Sequence, residues 1–260
     1  MFKLLKYEFK GNSRTLSYLF IIGILLNLVL EIHPIGRGIA VAAWLVIGIV
    51  ILASIVKNYS QFLYDDSAML TFSLPINSHK FVISKLIYAV IILMVFMFCL
   101  YESSMFAIKG AIPFKELREF IVVIFKNPSF LLPSSLVAIF TIINFILSIF
   151  FSITLTKVSI KKRRLSSIIA FVIFVLFNSL YFYVKGVLFN LFPYDFVINL
   201  KGTEFFYNNS LGNFNMYFNN TLSIIDGRFH IAIVGSIFTV VVMIGLIRSV
   251  SYLVQKKVDI

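Results

Sequence analysis

The sequence is short of charge, of acid and of cysteine. Of 260 residues 13% are charged, acidic side chains number 11 against 23 Lys and Arg, and there is one Cys. Soluble domains of this size carry about 25% charged residues, so the polar surface needed to cover a water-exposed globule is missing. One Cys excludes a disulfide scaffold and a Cys-rich metal centre. No G-x-x-x-x-G-K-[ST] motif occurs, nor any Gly-Lys dipeptide, so ATP phosphates are not held by that route. His33, His79 and His230 are far apart in the chain with no H-E-x-x-H spacing, and Ser236 after Gly235 belongs to no G-x-S-x-G. The expectation is a protein with no covalent chemistry of its own, no metal and no cofactor.

What is present is apolar. Hydrophobic residues make up 60% of the chain, 30 of them Phe, and the mean hydropathy is +0.98. The class is an integral membrane protein. A spanning helix needs about 20 mostly apolar residues, and six stretches qualify: 16–32, 39–56, 81–108, 132–156, 165–184 and 229–247. Alternation in ten-residue segments, the mark of a membrane β-barrel, is absent. The expected fold is all-α and polytopic, a single transmembrane domain of six helices.

Orientation follows from Lys and Arg. With the N-terminus inside, the inner segments hold fifteen of the 23 basic residues, including Lys161-Lys162-Arg163-Arg164. The positive-inside bias therefore puts both termini in the cytoplasm, and the +12 net charge reads as topology and lipid contact, not nucleic-acid binding. In residues 1–15, Phe2, Leu5 and Phe9 share one helical stripe and Lys3, Lys6 and Lys10 another, predicting an interfacial amphipathic helix ahead of the first span.

Three connections carry more than a linker needs. Residues 57–80, inside, mix aromatics with Asp65-Asp66. A short helix over 61–70 would place Phe62 and Met69 on one side, and Pro75 would then break the chain. Residues 109–131, outside, suit an interfacial helix after Pro113. Residues 186–228, outside, are dense in aromatics and Asn, which short re-entrant or interface-lying helices would explain. Within the spans, Asn27, Glu102, Asn144 and Asn178 are the candidate polar groups, either interhelical hydrogen-bond partners or ligands of a transported molecule. Cys99 reads as packing.

The order of parts resembles the membrane subunits of type-2 ATP-binding-cassette (ABC) exporters. The resemblance rests on the basic-aromatic opening MFKLLKYEFK, on the six spans, and on YDDSAMLTFSLPINSHKFVISKL. In that segment Asp66, Leu70, Thr71, Leu74, Pro75, Ile76, Phe81, Ser84 and Lys85 match D-x-x-x-L-T-x-x-L-P-[IV]-x-x-x-x-[FL]-x-x-[SA]-K. One departure is Asp65-Asp66-Ser67, where many members of that class have an acid followed by Gly. The resemblance implies a bacterial cell-membrane permease that exports its substrate together with a second permease chain, driven by two separate ABC ATPase subunits. It implies that 57–80 holds a coupling helix contacting the ATPase through Gln61, Phe62, Asp65, Asp66, Met69 and Leu70. Two other readings stand beside it: an ion-coupled secondary transporter, and a membrane immunity or sensor protein that binds its ligand through 186–228.

Overall fold

The computed structural model describes residues 2–30, 34–64, 78–108, 128–159, 163–192, 194–199, 216–218, 222–225 and 228–258. Six helices account for most of them: α1 (Phe2–Leu30), α2 (Pro34–Tyr64), α3 (Ser78–Ile108), α4 (Pro128–Ser159), α5 (Arg163–Leu191) and α6 (Ile233–Val258). Pro34 and Pro128 open α2 and α4, where a missing backbone N–H leaves no helical bond unmade. Between α5 and α6 lie four strands, β1 (Asp195–Asn199), β2 (Met216–Phe218), β3 (Leu222–Ile225) and β4 (Arg228–Ala232).

Five helices are long and apolar enough to cross a membrane, over Ala42–Gln61, Ser78–Leu100, Ser135–Val158, Ser166–Leu191 and Ile233–Gln255. In α1 the shorter run Leu16–Leu25 is apolar. The outward surface shows why water is not the solvent of this bundle. Leu45, Val46 and Ile49 of α2, Phe98 of α3, Ile168, Phe171, Leu176 and Leu180 of α5, and Ile237 and Val241 of α6 are all exposed. Such a surface belongs against lipid tails, and the chain is a multi-pass, membrane-embedded protein.

The helices run alternately up and down. Glu8, Asn58 and Lys85 meet near one end of α1, α2 and α3. About two-thirds of the way along, Gly23 of α1 lies under Trp44 of α2, and Gly48 of α2 lies under Phe96 of α3. A Cβ on Gly23 would stand 2.7 Å from the Trp44 ring, and one on Gly48 2.6 Å from the Phe96 ring. Only glycine permits these approaches, the small-residue contact by which membrane helices close together without a hydrophobic driving force. α4 joins through Tyr59, which stacks on Phe150 at 3.9 Å and hydrogen-bonds Thr154 at 2.7 Å. α4 packs against α5 and α6, and α6 returns to α3. The end carrying Lys6, Lys10, Lys57, Lys80 and Lys157 is the basic end; the strands lie at the other.

The structure corrects the sequence reading in four places. The boundary expected near residue 15 does not exist, because α1 is one helix from Phe2 to Leu30. Leu5 and Phe9 are partly buried against the helical core, with Phe9 edge-on to Tyr88 at 5.1 Å, so these two residues of the stripe read as lipid-facing meet protein. The fold is not purely α: part of 186–228, expected as short helices, forms an antiparallel sheet of order β1-β4-β3-β2. Its register sets Asp195 opposite Ala232 and Ile225 opposite Arg228. Finally, α5 continues to Leu191 and β4 displaces the start of the last helix to Ile233. The interfacial helix expected in 109–131 lies outside the described residues, apart from the start of α4.

Candidate functional site

Two polar constellations are built into the bundle. The first closes its basic end. Lys85 Nζ lies 2.5 Å from Glu8 Oε1 and donates to Asn58 Oδ1 at 2.7 Å, and Asn58 Nδ2 donates to Glu8 Oε2 at 3.0 Å. The three side chains form a closed ring, one from each of α1, α2 and α3. Lys85 and Glu8 are 5% and 17% exposed. An ammonium this enclosed demands a carboxylate, and Asn58 closes the ring by accepting from Lys85 and donating to Glu8. Phe81 stands one turn back, with the ammonium 5.7 Å from its ring centroid. Phe81, Ser84 and Lys85, three positions of the loop pattern, are all buried.

The second constellation lies deeper, between α4, α5 and α6. Asn144, Ser148, Ser152 and Thr156 recur every four residues and form one buried stripe on α4. A cavity of about 300 Å³ opens on it, with Asn144, Ser148, Asn178 and Tyr181 among aromatic and aliphatic walls. Two further cavities follow the same face of α4. One of about 330 Å³ at the basic end includes Ser60, Ser152, Ser166 and Ser167. Another of about 420 Å³ toward the sheet includes Thr141, Ser236 and Thr239. The middle and basic-end cavities share Phe145 and Phe174, whose rings meet edge-on at 5.7 Å. The middle and sheet-end cavities share Thr141, and the Tyr181–Thr239 hydrogen bond of 2.9 Å joins their walls. The result is a groove along α4 in three segments, and among the described residues none that lines it is charged.

The hydrogen-bond accounts of this groove are one-sided. Asn144 Nδ2 donates to Phe140 O and Thr239 O, each at 3.2 Å, and Asn144 Oδ1 is enclosed with no partner among the described residues. The amide orientation is fixed by those two carbonyls, since the reverse would set oxygen against oxygen. Asn178 Nδ2 donates to Phe174 O at 2.8 Å and to Ser148 Oγ at 3.2 Å. Ser148 donates to Phe145 O, Thr141 to Val137 O and Thr239 to Gly235 O. With the Thr239 proton used, the Tyr181 hydroxyl is the donor to Thr239 Oγ1. Each of these donors is spent on the protein itself, so the walls offer acceptor lone pairs.

Of the residues singled out in the sequence, Asn144 and Asn178 come together on this cavity, bridged by Ser148. Asn27 and Glu102 lie on α1 and α3, with side chains outside the described residues. Gln61 and Phe62, expected in a separate coupling helix, are the last turn of α2, and Leu63 beside them is buried. Asp65, Asp66, Met69 and Leu70 lie outside the described residues. Sequence reasoning took Lys85 as an inside charge and as the last position of the loop pattern, and passed over Glu8. It also passed over Ser148, Ser152 and Thr156, whose four-residue spacing with Asn144 was a usable signal. Compared with known protein families, curated proteins and solved structures, the chain has no match.

Proposed function

We propose that this chain is the membrane-spanning permease subunit of an ATP-driven ABC exporter. On this reading it spans a bacterial cell membrane six times with both termini in the cytoplasm. It forms the translocation pathway with a second permease chain and is driven by a separate pair of ATPase subunits. The observation that carries the reading is the Glu8–Asn58–Lys85 ring. A permease driven from outside must receive force through a connection whose ends do not give. The 65–77 connection leaves α2 at buried Leu63 and enters α3 at buried Phe81 and Lys85, and the ring ties both helices to α1. A push on that connection moves three helices as one body instead of being absorbed by a hinge. The segmented groove along α4 supplies a route that rocking of α5 and α6 against α4 would open in turn.

Co-purification tests this. The tagged chain should retain an ABC ATPase from its native membrane, and Asp65→Lys with Asp66→Lys should release that ATPase while leaving membrane insertion intact. Retention at wild-type yield by the double variant would place the contact elsewhere. Failure of the unaltered chain to retain any ATPase would end the permease reading.

A further inference from the structure

The geometry points to a binding site, in the middle cavity of the α4 groove, for the polar end of an uncharged amphiphile that donates a hydrogen bond. This deepens the permease reading by naming a substrate class, and it rests on that reading only for what the bound molecule is for.

Four observations converge. The first is the spent donors: both hydrogens of Asn144 and both of Asn178 go to protein acceptors, as do those of Ser148, Thr141 and Tyr181. What remains toward the cavity is acceptor capacity. Asn178 Oδ1 has no partner among the described residues and, unlike Asn144 Oδ1, is not enclosed. Asn144 Oδ1, one turn from Ser148 on α4, is unsatisfied but closed off by protein and takes no part in the site. Asn178 Oδ1 is therefore the acceptor that a ligand hydroxyl or amide N–H can reach from the cavity.

The second observation is the missing charge. Among the described residues no acidic or basic side chain lines the cavity, and Phe145, Phe174, Phe177, Phe182, Val242 and Leu246 make up most of its walls. A phosphate or carboxylate would meet acceptors and no donor at the lining, since the buried Lys185 ammonium, 5.6 Å from the Tyr181 ring centroid, is not one of the lining residues. A cation would lose its hydration without a counter-charge, which apolar walls do not offset. A neutral donor suffers neither penalty.

The third is size and access. About 300 Å³ holds a polar end and its linkage, not a whole lipid. Phe145 and Phe182 on its rim are 38% and 48% exposed on the outer face of the bundle, where acyl chains would continue into the bilayer. The fourth is continuity: the cavities above and below are also uncharged and carry Ser and Thr acceptors, so the same polar end would find equivalent partners on either side of the Phe145–Phe174 and Tyr181–Thr239 constrictions.

The test uses the full chain in phosphatidylcholine nanodiscs with three photoactivatable probes. These are a diacylglycerol with a diazirine in one acyl chain, its O-methyl ether, and the matching phosphatidic acid. Labelled peptides are mapped by mass spectrometry. The alcohol should label peptides of α4 and α5 about five-fold more than the ether, the ratio one neutral hydrogen bond supports, and phosphatidic acid should label no better than the ether. Asn178→Leu should bring the alcohol down to the level of the ether. The probe comparison on the unaltered protein stands even if that variant does not fold. Equal labelling by alcohol and ether would overturn the inference, as would preferential labelling by phosphatidic acid or labelling confined to other helices. No ATPase takes part. An alcohol-to-ether ratio that holds while no ATPase is retained removes the permease reading and leaves the ligand class; ATPase retention with no probe preference does the reverse.

Discussion

Removing the carboxylate of Glu8 should cost this protein more than any single uncharged hydrogen bond could. In Glu8→Ala, Lys85 keeps its buried place and its bond to Asn58 but loses the anion 2.5 Å away, and Asn58 Nδ2 loses its acceptor. With the Lys85 side chain 5% exposed and that of Glu8 17%, water cannot screen or replace the partner as it does for a surface pair. Breaking a buried pair on one side costs about 3–5 kcal/mol, whereas replacing both charges by apolar groups of similar volume is often near neutral. Glu8→Leu with Lys85→Met should therefore recover most of the loss, giving a coupling of roughly 3 kcal/mol in a double-mutant cycle. The single tryptophan, Trp44, is buried between Gly23 and Phe96, so its fluorescence reports whether α1 and α3 remain seated on α2. Unfolding by SDS in mixed micelles, followed at Trp44, gives the free energies of the unaltered chain, Glu8→Leu, Lys85→Met and the double variant, with Glu8→Ala measured beside them. A loss below about 1 kcal/mol for Glu8→Ala, or a double variant as unstable as the sum of the singles, would refute the picture of a buried, mutually dependent pair.

Three other expectations concern packing and topology. Gly48→Val sets a Cβ within 2.6 Å of the Phe96 ring and should destabilise by about 1–3 kcal/mol. Gly245→Ala, with nothing within 4 Å of the new Cβ, should be neutral or stabilising by about 0.5–1 kcal/mol; the same SDS titration checks both, and equal effects would contradict the close approach of α2 to α3. Tyr59→Phe should cost about 1 kcal/mol, because it keeps the stack on Phe150 and removes only the bond to Thr154. Tyr59→Ala should cost about 3–5 kcal/mol by opening a cavity between α2 and α4. In a Cys99→Ala background, a cysteine at position 159 should react with impermeant maleimide only after the cytoplasmic face is opened; labelling from outside would invert the proposed orientation.

Membrane class and most of the helices were legible in the sequence because hydropathy is a one-dimensional property: a run such as 81–100 declares its solvent wherever its neighbours lie. Asn144 and Asn178 could be named for the same reason, as amides stranded in apolar spans. Their meeting through Ser148 could not, since it depends on how α4 and α5 turn toward each other. Positive-inside counting treated Lys85 as a charge on a surface, and counting carries no information about depth. Its partner Glu8 lies 77 positions away on another helix, and only the packing of α1 against α3 brings the two together. The same packing decided that Leu5 and Phe9 face protein. An apolar stripe shows that a helix has a side to bury, and says nothing of whether lipid or another helix buries it. In 186–228 the aromatic and Asn content overshadowed period-two alternation in segments only three to five residues long, too short to announce strands until β1 finds β4. What the sequence determined alone was the solvent each segment requires; which polar groups share that solvent-free interior was settled by helix against helix.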